Sequence, residues 1–349
     1  MGVACPDLNP AGIEGTQLGL VTLDQEPERF WPLSSGPVPH PAASGTPKAT
    51  LSRLPTCGWS GRKPLSGPQI AERRTVDLEA GTIHYRVAGP DGGRPVVFVH
   101  GFLVDDALWA DVPERLGGRG FRAFAPTWPL ASHTVAMKPD ADLSPRGVAR
   151  VVLDFLARLD LRDVVLVGND TGGAVSQFVI DEDPMRIGRL VLTNCDAFDT
   201  FPPFPFNLLF RLGRHPGAAR LVLQTMRLAS LRNGLLGFGP LVRRRLTAED
   251  TAGWIRPYLT DPGVRHDTTS FLRGWRPEDL ADVATRLYRF EKPVLIAWAP
   301  SDRFFKIALG RRLASVFLDA RLVEVPNAAT FISLDQPARL ADEIAAFAK

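Results

Sequence analysis

The sequence predicts an α/β protein with a mostly parallel central sheet and an inserted helical cap. Three observations carry this reading. Short runs of branched apolar residues alternate with helical segments both before residue 200 and after residue 290, the pattern of parallel strands covered by helices on both faces. Between those points the strand signal fades into helical stretches broken by Pro and Gly. One apolar run, Val164–Val167, passes through Gly168-Asn169-Asp170-Thr171-Gly172-Gly173 directly into a helix, a turn so tight that only small residues fit around its central side chain.

Length and composition bound the possibilities. The 349 residues suffice for one large domain with an insertion or for two small domains, and a hydrophobic content of 45% supplies an ample core. No stretch of eighteen apolar residues appears, so a transmembrane helix is not expected. A net charge of +3, from 41 basic and 38 acidic residues, gives no reason to expect a nucleic-acid partner. Cys5, Cys57 and Cys195 are widely separated and read as free thiols in a reducing cytoplasm. The start, Met1-Gly2-Val3-Ala4-Cys5-Pro6, lacks the basic and apolar regions of a signal peptide, and Pro6 stands where a myristoylation motif wants Ser or Thr. The expected location is therefore cytoplasmic. No metal-ligand cluster is visible among the six histidines, and no cofactor is expected.

In chain order, residues 1–70 are Pro-, Gly- and Ser-rich without sustained periodicity and read as a disordered leader, or as residues ahead of the true start. The first part of the core covers residues 71–199. Thr75–Glu79 and Thr82–Val87 alternate around Ala80-Gly81 as a hairpin. Pro95–Val99 is a buried strand ending in His100-Gly101-Phe102, Ala107–Leu116 is helical, and Phe121–Thr127 is the next strand. Ser144-Pro145 is an N-cap and first helical position for a helix to about Leu159. The Asp170 strand and its helix to about Asp183 follow, then a sixth strand at Arg189–Thr193. The cap spans 200–290. The second part of the core, 291–349, holds a strand at Pro293–Trp298, a helix at Lys306–Val316, a strand at Ala320–Val325 and a last helix at Gln336–Phe347. Ligands in such folds sit beyond the carboxyl ends of the strands, where the cap would roof them.

Asp170 has two readings from its local sequence: a helix N-cap, or the exposed central residue of a nucleophile elbow. With the elbow, the His100-Gly101 loop, the cap and a late acidic residue in this order, residues 74–349 resemble the α/β-hydrolase superfamily. The Asp at the elbow resembles the branch containing haloalkane dehalogenases and soluble epoxide hydrolases. The resemblance implies that Asp170 attacks carbon to form a covalent ester. A carboxylate suits this because it is ionised at neutral pH and needs no base for the first step. It also implies an oxyanion hole from the backbone N–H groups of Phe102 and Thr171. Asp302, after Ala297-Trp298-Ala299-Pro300-Ser301, stands where the family keeps the acid that orients its histidine, though a helix cap is its alternative reading. Asp196 occupies the acid position of some relatives.

The family's catalytic histidine lies before an aromatic residue in the loop after the last strand. Here that position is Thr330, before Phe331, and no histidine follows His266. A Thr hydroxyl is no general base near pH 7. His133, in the loop after the fourth strand, is the best substitute, unless it merely ties down its own loop. His100 has the family's role of shaping the oxyanion loop. Thr171 and Phe102 replace the halide-binding side chains common in dehalogenases, and Tyr258 and Tyr288 are the tyrosines offered near the cap. Trp109, Trp128 and Tyr258 are candidate substrate-binding residues, with core packing as the alternative for the two tryptophans.

The cap itself carries no acidic residue between Phe201 and Ala248, while Arg211, Arg220, Arg227 and Arg243–Arg245 lie among Leu, Phe and Val. This is either a solvated basic face or a surface for an anionic membrane or amphiphile. The expected function is hydrolysis of a small, mostly apolar substrate through an Asp170 ester, haloalkane dehalogenase-like. The alternatives are epoxide hydrolysis, ester or lactone hydrolysis, or a degenerate hydrolase fold that binds a ligand without turnover.

Overall fold

The computed structural model describes residues 71–349; the leader at residues 1–70 lies outside the described residues. Eight strands form one sheet in the order β1-β2-β4-β3-β5-β6-β7-β8. β1 (Glu72–Asp77) and β2 (Thr82–Ala88) are the expected hairpin, closed by reciprocal backbone bonds between Leu78 and Gly81, and β2 runs antiparallel to β4 (Arg122–Pro126). β3 (Pro95–Val99), β5 (Val164–Asp170), β6 (Ile187–Cys195), β7 (Val294–Trp298) and β8 (Ala320–Glu324) continue in parallel.

The central strands read as unbroken apolar runs because both faces are covered: Val96–Val99 and Val164–Val167 are fully buried. On one face α1 (Val112–Gly117) packs against the last helix, α12 (Pro337–Phe347). α2 (Pro145–Arg158) and α3 (Thr171–Glu182) pack against each other, and α10 (Ile307–Val316) lies on β7 and β8. The short α11 (Ile332–Asp335) precedes α12. Ser144 caps α2 as expected, its Oγ accepting the Gly147 N–H at 3.0 Å. The edge strand β1 is Glu-Arg-Arg-Thr-Val-Asp and mostly exposed, charges that discourage edge-to-edge pairing.

The helix expected over Ala107–Leu116 is interrupted. Asp106–Trp109 forms a 3₁₀ turn, Ala110 takes φ 46°, and α1 begins at Val112. Pro113 explains the break: lacking an N–H, it cannot continue an upstream helix but suits a first turn.

Between β6 and β7 the chain is helical: α4 (Phe206–Gly213), α5 (Pro216–Thr225), α6 (Ala229–Arg232), α7 (Ala248–Thr260), α8 (Pro262–Gly274) and α9 (Pro277–Ala284). α7 opens with a capping box between Thr247 and Asp250. The sheet topology fixes where a site can form. From β3 the chain crosses to β4 on one side and then to β5 on the other, so the crevice beyond the carboxyl ends of β3 and β5 is the topological switch point. Phe102 and Asp170 sit there.

Candidate active site

Asp170 ends β5 with φ 54° and ψ −131°, a conformation that is strained for a residue with a side chain. Close packing imposes the turn. A Cβ on Gly172 would overlap the Val99 carbonyl, and one on Gly101 would overlap Asp170 Oδ2. Asp170 stands at the N-cap position of α3 yet makes no side-chain capping bond. Its carboxylate instead faces the backbone N–H groups of Thr171 and Phe102 without a well-formed hydrogen bond to either. Burial pushes Asp170 up to about 7, against the pull of those two N–H groups and with a further push from Asp302. The side chain keeps partial access to the cavity above it while protein surrounds it elsewhere.

Asp196 lies behind the elbow, fully buried. The Thr171 hydroxyl approaches it without completing a well-formed hydrogen bond. Burial, with the charge of Asp170, raises its pKa well above the usual carboxylate value.

Asp302 is tied on every side. Its Oδ1 accepts the N–H groups of Phe304 (2.8 Å) and Phe305 (3.2 Å), and its Oδ2 accepts Asn194 Nδ2 (2.7 Å) and Thr330 Oγ1 (2.9 Å). The acid therefore caps its own turn and also meets Thr330, in the loop after β8. Burial raises its pKa against these donors. Asn169, the residue before Asp170, donates from Nδ2 to the Thr330 carbonyl at 2.8 Å, which links the Thr330 loop to the elbow. Asn194 was not singled out in the sequence; its position at the end of the sixth strand, beside Asp196, was the available signal.

A cavity of about 520 Å³ rises from Asp170, Thr171 and Phe102. Its walls are largely apolar: Phe206, Phe210, Met226, Leu235, Leu241 and Phe305. Asp170 is its only ionisable lining residue, and no histidine among the described residues lines it. The aromatic candidates lie elsewhere. Trp109 packs on Phe98 with ring centroids 4.7 Å apart, Trp128 gives its indole N–H to the Phe98 carbonyl at 2.9 Å, and Tyr258 is buried in α7. All three are core residues, because strand-end and helix positions facing the sheet take large side chains inward.

His133 is also placed away from the cavity. It is buried, and its Nε2 lies 3.0 Å from Asp267 Oδ2 of α8, an oxygen that also accepts the Met137 N–H. This joins the β4 loop to the helical segment and turns Nε2 toward Asp267, while Nδ1 is buried without a partner among the described residues and away from the cavity. His100 accepts the Trp128 N–H on Nε2 at 2.8 Å, so its Nδ1 carries the proton and donates to the Gly101 carbonyl at 2.9 Å. Burial lowers its pKa to about 4, and it acts as a neutral brace for the loop bearing Phe102.

Comparison with known proteins bears on the family and the fold. The alpha/beta hydrolase family matches residues 96–343. An uncharacterised protein of Mycobacterium tuberculosis is 25% identical over 284 residues, 77% of this chain and 80% of that protein. A haloalkane dehalogenase of Agrobacterium fabrum is 30% identical over 136 residues, 38% of this chain and 44% of its own. Among solved structures, the epoxide hydrolase CorEH superposes with a TM-score of 0.66 at 19% identity, covering 80% of this chain and 98% of its own.

Proposed function

The chain belongs to the alpha/beta hydrolase family, and on that premise we propose that Asp170 is a covalent nucleophile toward an apolar, carbon-centred electrophile. One observation carries the reading. A carboxylate on a strained turn faces the backbone N–H groups of Thr171 and Phe102 and, among the described residues, is the only ionisable group lining an apolar cavity of about 520 Å³. In its ionised form an Asp170 oxygen attacks carbon and forms a C–O bond. The bond to the leaving group breaks, and the leaving group departs with the electron pair. The product is an alkyl ester of Asp170. Carbon–halogen bonds are the first preference, since halide leaves without a proton. Epoxides, whose ring oxygen must be protonated, come next, and esters or lactones last.

Returning the free enzyme requires water to attack that ester, and a general base contributes about 10²–10⁴-fold to such a step. On this reading Thr330 takes the position of that base, and its hydroxyl donates a hydrogen bond to Asp302 Oδ2. The ester is therefore long-lived. We place this chemistry in the cytoplasm, where the buried free thiol of Cys195 stays reduced.

The test is the intact mass of the protein after incubation with haloalkanes, epoxides and activated esters. A stable adduct on wild type and none on Asp170→Asn supports the reading. The histidine-free cavity favours one second reading, a ligand-binding protein without chemistry. Saturable binding of these compounds by both proteins, with no adduct on either, would replace the first reading with the second.

A further inference from the structure

We propose that the surface around the cavity mouth docks on an anionic phospholipid bilayer, so that substrate enters laterally from the lipid. Large apolar side chains exposed on the described surface are concentrated between Phe204 and Leu236. Phe204, Leu221, Leu235 and Leu236 are 72–77% exposed. Single exposed leucines are ordinary, but a patch of this kind marks an interaction site. Leu231, Leu235 and Leu236 also line the cavity above Asp170, so the patch surrounds the opening of the cavity itself.

The charge beside that mouth selects the partner. A cleft of about 1020 Å³ shares Ser230, Gly234 and Leu235 with the cavity and is lined by Arg243, Arg244, Arg245 and Arg303. These four guanidinium groups are exposed and form no ion pair among the described residues. The Arg243 and Arg244 backbone N–H groups donate to the Asp335 carboxylate at 2.9 and 3.0 Å, which fixes the segment from which the side chains project. No acidic residue occurs from Phe201 to Ala248. A second copy of the chain on this face would oppose arginine with arginine. An anionic lipid surface offers phosphates to the arginines and hydrocarbon to the leucines. No helix among the described residues is long and apolar enough to cross a membrane, so the contact is peripheral.

Docking goes beyond the proposed chemistry and does not require it. Flotation of the full chain with vesicles of phosphatidylcholine, alone or mixed with phosphatidylglycerol, tests it. Wild type binds the anionic vesicles at least about tenfold more tightly, and added salt weakens the binding. The triple variant Arg243→Gln/Arg244→Gln/Arg245→Gln loses about a hundredfold, and Leu235→Ser/Leu236→Ser loses binding with its charge intact. Asp170→Asn floats as wild type does, so failure of docking and failure of the chemistry are separable. Equal binding to both vesicles, no binding to either, or unchanged binding by the triple variant would overturn the proposal. So would a lipid-independent dimer abolished by Leu235→Ser/Leu236→Ser, which would assign the patch to a second copy.

Discussion

The Thr330 hydroxyl donates to Asp302 Oδ2 at 2.9 Å, so the loop after β8 is tied to the acid that follows β7. On the proposed reading Thr330 stands where a histidine would serve as base, and the basic nitrogen is absent. Asp302 retains enough donors to stay ordered without it, from Asn194, Phe304 and Phe305.

Thr330→His should therefore convert a persistent ester into turnover. The imidazole would be oriented by Asp302, and hydrolysis of a preformed Asp170 adduct should speed up by about 10²-fold or more. Thr330 is fully buried, so the larger ring should cost about 1–3 kcal/mol in stability. Mass spectrometry of the adduct against time gives the rate, and chemical denaturation gives the cost. An adduct that decays no faster in the variant would show that the ring cannot reach the ester.

The pH dependence follows from Asp170. Its carboxyl titrates near 7 in the folded protein, and the nucleophile is the ionised form. Adduct formation should rise about tenfold per pH unit below 7 and level off above it. A raised acid pKa means that the folded state binds the proton more tightly than the unfolded chain. Its contribution favours folding fully below the unfolded value near 3.8 and is lost as pH climbs to about 7. Asp170→Asn removes that loss. The variant should gain about 2 kcal/mol relative to wild type between pH 5 and pH 8, read as denaturation midpoints at the two pH values.

The extent to which the sequence disclosed this arrangement varies with the physics of each element. β3 and β5 were legible because strands buried on both faces must be apolar along their whole length. The elbow was legible because its glycines answer to backbone contacts with adjacent strands. The helix over Ala107–Leu116 was misread because the break that Pro113 imposes, with the positive φ of Ala110 ahead of it, was passed over. Trp109 and Trp128 look alike in sequence whether they face a cavity or Phe98. The true cavity walls, such as Phe206, Met226 and Leu241, come from the segment between β6 and β7. Their facing depends on how those helices pack over the sheet, which periodicity does not encode.

Gly101 offers a test of how finely the carboxylate is held. A methyl group at this position would overlap Asp170 Oδ2 and crowd Cγ, so either the carboxylate turns or the oxyanion loop retreats. Gly101→Ala should lower the rate of adduct formation by about 10²-fold, the usual effect of misplacing a reacting group by an ångström. The stability change should stay near 1–3 kcal/mol. An unaltered rate would mean that Asp170 reacts from a rotamer other than the one facing the Phe102 and Thr171 N–H groups.

His133 separates a structural role from a chemical one. Its Nε2 faces Asp267 of α8 at 3.0 Å, and neither residue lines the cavity. Truncation leaves the buried Asp267 carboxylate with the Met137 N–H and the His266 ring at 3.4 Å but without the His133 imidazole, an omission that costs about 2–3 kcal/mol at a buried carboxylate. His133→Ala should therefore melt earlier, while its adduct forms and decays at wild-type rates well below the transition. A variant that forms the adduct normally but loses its slow decay would return His133 to the role of water activator, acting from a position that it reaches only when the helical segment moves.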